Sequence, residues 1–220
     1  FRIDPENIGV QEGWTTHLPT TEKTTVPSVW NTTMGLLEYE GAAWYEKKFY
    51  TKGGTLRFVF EAVLTQADVW LDGVKLGDHY GGFCEFELIA NAVTPGMHTL
   101  TVRVDNTFDD QSIPIAYTDW WHYGGITRSV TVEELHGLCT MYNHFNYVLS
   151  DDLTCTTAHF TAEIYNAENA TVTAPVSFVF DGETVCVEEL TLAPYETKTV
   201  ITPDFSIENV RLWDPDTPNL

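Results

Sequence analysis

Basic residues are scarce. Eleven lysines and arginines stand against 32 aspartates and glutamates, a formal net charge of −21 over 220 residues. A surface of that sign repels nucleic-acid phosphates and anionic lipid, which argues against nucleic acid and membrane as partners. Cysteine is sparse as well. Cys84, Cys139, Cys155 and Cys186 contain no C-x-x-C pair, so zinc and thioredoxin-type sites fail on spacing. Four such thiols fit the reducing cytoplasm better than a disulfide framework. No apolar run approaches the roughly 18 residues that cross a bilayer, and no signal peptide is visible. The chain starts at Phe1 rather than Met and ends in the Pro-punctuated stretch Leu212–Leu220, which reads as a piece of something longer. There is no sustained 3.6-residue period, no low-complexity segment and no clear internal repeat. The sequence has no G-x-S-x-G elbow, and its histidines at 17, 79, 98, 122, 136, 144 and 159 lack the close pairing of a zinc site. The reading calls for no metal and no cofactor.

Alternation fills the space that helices leave. Leu56, Phe58, Phe60 and Ala62 fall on one strand face, Arg57, Val59 and Glu61 on the other. Leu100, Val102 and Val104 repeat the pattern, as do Ala158, Phe160, Ala162 and Ile164, then Val176, Phe178 and Phe180. Asp72-Gly73 supplies the positive φ angles of a type I′ hairpin inside Val69–Leu76, and Asp181-Gly182 marks a second tight turn. Pro5 to Trp14 offers at most a turn of helix. Short strands spaced by turn residues predict an all-β chain of two sandwiches, residues 1–133 and 134–220.

Candidate chemistry concentrates in Tyr117–Val130, which holds Asp119, Trp120, Trp121, His122, Tyr123 and the Gly124-Gly125 bend. Aromatic faces suit the C–H face of a sugar, and a carboxylate accepts hydrogen bonds from adjacent hydroxyls. The same residues also suit an edge loop whose rings plug the end of a sandwich. Glu85 and Glu87, two apart on one strand face, could pair as glycosidase carboxylates, but a solvated strand edge accounts for them better. The glycines of Gly77–Phe83 open no helix and so cradle no phosphate. The Asn31 and Asn169 sequons occur too commonly by chance to carry weight.

Read in order, several stretches resemble the non-catalytic N-terminal half of glycoside hydrolase family 2, the β-glucuronidases, β-galactosidases and β-mannosidases. Phe1-Arg-Ile-Asp-Pro with Ile8-Gly and Glu12-Gly-Trp14 is similar to its opening. Val26-Pro-Ser-Val-Trp-Asn31, Tyr39–Tyr45, Val69–Phe83, Val102–Asn106, Tyr123–Val130 and Leu212–Pro218 follow in the family's order. The resemblance implies a jelly-roll (galactose-binding-like) sandwich and then an immunoglobulin-like sandwich. A (β/α)₈ barrel would follow and carry both catalytic glutamates of a retaining enzyme, in a parent that assembles as a homo-oligomer. In that setting Asp119 reaches into the barrel's site and binds glycone hydroxyls, with Trp120, Trp121 and His122 beside it. Tyr123, Gly124, Gly125 and His79 would support the loop. Glu46 falls where some members place an amide near the sugar. A carboxylate there departs from the pattern and would repel a glucuronate, so the resemblance leaves glucuronide and galactoside both open. A stand-alone carbohydrate-binding module and a structural pair of sandwiches are the rivals.

Overall fold

A computed structural model describes residues 1–113, 115 and 119–219 of the chain. Pro114 and Tyr117, at the entry to the aromatic segment, lie outside the described residues. The chain divides into two compact units, Phe1–Glu134 and Leu135–Leu220. Each is built of strands.

In the first unit the strands are β1 (Arg2–Asp4), β2 (Ala42–Thr51), β3 (Gly54–Phe60), β4 (Val63–Leu64), β5 (Gln66–Leu71), β6 (Val74–Tyr80), β7 (Phe86–Val93), β8 (Gly96–Asp105), β9 (Gly125–Ile126) and β10 (Val130–Leu135). A five-stranded sheet runs β1-β2-β8-β5-β6, a three-stranded one β10-β3-β7, and β4 pairs with β9 alone. Every pairing with a resolved register is antiparallel. Asp72 and Gly73 adopt φ of 50° and 82° and join β5 to β6 with Leu71 opposite Val74, the turn that the Asp-Gly pair predicts. Phe58, Phe60, Leu56, Val69 and Val104 fill the core at no solvent exposure. Burying each such side chain contributes about 1.5–3 kcal/mol.

The outer face of the five-stranded sheet is covered too. Residues 5–16 form turns rather than a helix, with Trp14 N–H donating to Gly9 O at 2.8 Å. Trp14 of this segment and Leu18 just after it pack onto Trp44 and Trp70, whose rings stack at 5.3 Å. The Asp4 carboxylate, 2% exposed, fastens the segment by accepting from Ile8 N, Gly9 N and Trp44 Nε1 at 2.8–2.9 Å. Alternation alone does not reveal this second core, because one face of β2 would ordinarily be wet.

The second unit holds β11 (Leu138–Leu149), β12 (Cys155–Asn166), β13 (Val172–Phe180), β14 (Glu183–Leu192), β15 (Thr197–Ile201) and β16 (Phe205–Glu208). One sheet runs β11-β12-β15, with β16 also on β12, and faces the β13-β14 pair. Phe160, Ile164, Phe178, Leu190 and Leu192 form its core. Asp181 and Gly182, at φ 48° and 81°, turn β13 into β14 with Phe180 opposite Glu183. The all-β expectation of two sandwiches holds. Among the described residues no helix is long and apolar enough to cross a membrane.

Candidate functional site

The segment leaving β8 and returning as β9 carries the sequence's aromatic cluster. Its first turn is built on carboxylates. Asp105 accepts the backbone N–H and hydroxyl of Thr107 at 2.9 and 2.6 Å while pairing with Arg103 at 2.5 Å. Asp109 accepts from the Tyr80 hydroxyl at 2.6 Å, from Gln111 N at 2.9 Å and from the Ser112 hydroxyl at 3.1 Å. The Tyr80 contact, first among these, holds the Asp109 carboxyl below its ordinary pKa.

The far end of the loop is fixed by glycine. Trp30 N–H donates to Gly124 O at 3.0 Å, Gly124 N–H donates to Asn31 Oδ1 at 2.8 Å, and Ser28 N–H donates to Ile126 O at 2.8 Å. A Cβ on Gly124 would stand 1.9 Å from Trp30 Cζ2, and one on Gly125, at φ +138°, 2.5 Å from Ser28 O. Only glycine lets the backbone approach this closely. Gly125 then pairs with Leu64 and Ile126 with Val63.

Between these anchors the proposed sugar-facing residues divide. Asp119 is exposed, and among the described residues nothing hydrogen-bonds or ion-pairs with its carboxylate. Trp120 is 77% exposed, Trp121 49% and Tyr123 44%, large rings left in solvent at one end of a sandwich. His122 is engaged instead. Its ring lies on Phe108 at 3.6 Å, and its Nε2 donates to the Asn106 carbonyl. His79 hydrogen-bonds the Gly81 carbonyl at 3.1 Å and stacks on Phe86 at 4.2 Å, which stacks on Phe60 at 4.8 Å. That closes the Gly81-Gly82 bend, where a Gly82 Cβ would meet Leu64 at 2.2 Å. His79 thus reaches the Asp119 loop at second hand, through Leu64 and Gly125.

Glu46 points elsewhere. Its Oε2 accepts Leu18 N–H at 3.0 Å and meets His17 Nδ1 at 3.1 Å. It also stands at the rim of a cavity of about 670 Å³ whose lining includes Tyr45, Phe60 and Ile126. No contact among the described residues links its carboxylate to Asp119. Glu87 pairs with Arg57 at 3.5 Å, and Arg57 also holds Glu133 at 2.5 Å, so these carboxylates brace the three-stranded sheet. Sequence reasoning assigned no role to Asn31, Asn106 or Phe108. The only signal was the place of Asn31 in Val26–Asn31 and of Asn106 in Val102–Asn106. Among the described residues no group of three or more His, Cys, Asp and Glu side chains is gathered for a metal.

The fold and site define a class of all-β chain: two β-sandwich units, the first bearing a loop whose Asp119 carboxylate and indoles are exposed. The family is particular. Residues 143–220 match the model of glycosyl hydrolases family 2, and the chain belongs to that family. It is 30% identical to a β-glucuronidase of Formosa agariphila over 201 residues, 80% of this chain and 20% of the relative. A β-galactosidase of Thermoanaerobacterium thermosulfurigenes is 29% identical, over 73% of this chain and 24% of the relative. The fold superposes with a TM-score of 0.76 on a family 2 β-galacturonidase of Eisenbergiella tayi bound to galacturonate, 26% identical, covering 91% of this chain and 36% of that one. The chain thus spans a fifth to a quarter of the curated relatives it matches first.

Proposed function

We propose that these residues are the accessory N-terminal part of a retaining β-glycosidase that hydrolyses O-glycosidic bonds, a β-glucuronidase or β-galactosidase. They offer Asp119, Trp120 and Trp121 to a saccharide bound in a site completed by a downstream catalytic barrel. The observation that carries this reading is the exposed Asp119 carboxylate, unengaged among the described residues, immediately followed by the two exposed indoles of Trp120 and Trp121 on a loop held at both ends. Such a carboxylate accepts hydrogen bonds from sugar hydroxyls, and fixed indoles stack on C–H faces. Hydrolysis itself requires two carboxyl groups flanking the bond, about 5–5.5 Å apart for retention. Glu87, Glu133, Asp105 and Asp109 are each committed to structural partners. The isolated chain is therefore expected to show no turnover of aryl glucuronides or galactosides.

In the full-length enzyme, Asp119→Ala lowers kcat/KM by about 2–3 kcal/mol, the loss expected for a charged hydrogen bond to substrate. Wild-type kinetics in that variant would reduce the loop to a structural plug. Tight binding of a free monosaccharide by the isolated chain would favour a self-contained binding module instead.

A further inference from the structure

Two buried amides attach the Asp119 loop to one short stretch of chain. Asn31, 4% exposed, accepts Gly124 N–H through Oδ1 and donates through Nδ2 to the Leu37 carbonyl at 3.1 Å. The same nitrogen also lies 3.4 Å from Leu36 O and 3.5 Å from Tyr39 O. Asn106, with no solvent exposure, accepts Gly41 N–H through Oδ1 at 2.9 Å, and its backbone carbonyl receives His122 Nε2. One end of the loop therefore reaches residues 36–39 through Asn31. The other reaches Gly41 through Asn106. Asp119 lies in the chain between these attachments, three residues before His122.

The Asn106 side chain makes this arrangement at a cost. Its Nδ2 is buried with no hydrogen-bond partner among the described residues, a donor that an apolar residue of similar size would not strand. What the amide supplies is the acceptor for Gly41. Asn31 is likewise an unusual residue to bury completely, and its contacts are all to backbone atoms. Both residues fix backbone at the loop's two ends before any ligand arrives, which lowers the conformational cost of binding.

We propose that Asn31 and Asn106 are positioning residues for the sugar contact of Asp119. They act through the backbone at Asn106 and Gly124 and the His122 ring, without touching the saccharide. This inference rests on the reading of Asp119 given above. The test is a pair of double-mutant cycles in the full-length enzyme, Asn31→Ala and Asn106→Ala each crossed with Asp119→Ala, read as kcat/KM on a p-nitrophenyl glycoside that the enzyme turns over. Each asparagine variant alone is expected to lose on the order of tenfold to a hundredfold, the cost of misplacing a contact by about an ångström. In the Asp119→Ala background the same substitution is expected to cost about twofold or less. An equal fold-loss in both backgrounds overturns the inference, because the asparagines would then act independently of Asp119. Wild-type kinetics for Asp119→Ala alone overturns the sugar-contact reading and this inference with it. Where an alanine variant fails to fold by circular dichroism, Asn31→Asp or Asn106→Asp keeps the acceptor for Gly124 or Gly41 and replaces the amide donor with a carboxylate oxygen. It is carried through the same cycle with the same two outcomes.

Discussion

Asn31 Oδ1 accepts the N–H of Gly124 at 2.8 Å across 93 residues of sequence. Around that bond the Trp30 ring occupies the space where any other residue at 124 would carry its Cβ.

Gly124→Ala is therefore expected to destabilise the first sandwich by about 1–3 kcal/mol, the usual cost of forcing extra volume into a packed site. Urea unfolding followed by tryptophan fluorescence measures it. An unchanged midpoint would mean that Trp30 moves aside freely and that the loop is less fixed than the structure shows.

Asp4 holds three donors, Ile8 N, Gly9 N and Trp44 Nε1, in a buried setting. Asp4→Ala strands all three, and a loss on the order of 3 kcal/mol or more is expected from unpaired buried groups at about 1–3 kcal/mol each. Thermal melting reads it. The loss should come with quicker proteolysis in residues 5–18, since this carboxylate is what pins that segment.

His98 faces acceptors on both ring nitrogens, Asp72 Oδ2 at 2.6 Å and Thr94 O at 2.8 Å. Only the doubly protonated ring donates to both. The Asp72 contact, opposed by burial, raises its pKa above the ordinary 6.5. Because the folded-state value is the higher one, the stabilisation is complete below the unfolded value and is lost as pH rises through the folded one. The melting-temperature gap between wild type and His98→Gln should be largest below the ordinary histidine pKa and shrink as pH rises above it. A gap that is flat or grows with pH would contradict the charged pair.

All four cysteines are free, and Cys84 alone among them is exposed, the other three being half-buried. One fast-reacting thiol and three slow ones are expected with a disulfide reagent, and Cys84→Ser should abolish the fast phase. Two fast thiols would show that the second sandwich opens locally near Cys139, Cys155 or Cys186.

Much of the fold is legible in the chain because its signals are local. Asp72-Gly73 and Asp181-Gly182 dictate their own turns, and alternation assigns Phe58, Phe60, Phe160 and Ile164 to cores without reference to any distant residue. The candidate site is legible in part. Asp119, Trp120 and Trp121 stand out by type and density, and the structure leaves all three exposed. His122 belongs to the same cluster, yet its ring is held by Phe108 and the Asn106 carbonyl. Asn31 and Asn106 are opaque for a physical reason. An amide that bonds to backbone atoms leaves no complementary residue type to search for, and its partners lie up to 93 residues away. Glu46 is opaque in the same way, since Leu18 contributes only a backbone N–H.

The two cores of the five-stranded sheet leave a mark on β2. Ala42, Ala43, Trp44 and Tyr45 are buried in succession, although successive side chains of a strand point to opposite faces. Neither parity has a wet side there. A charge is therefore inadmissible at four adjacent positions, and drift in this stretch is confined to exchanges that conserve both volume and apolarity. In the strand's later half only Lys47, Lys48 and Tyr50 lie in solvent and are free to vary, since Phe49 packs on Phe58 and Thr51 is buried.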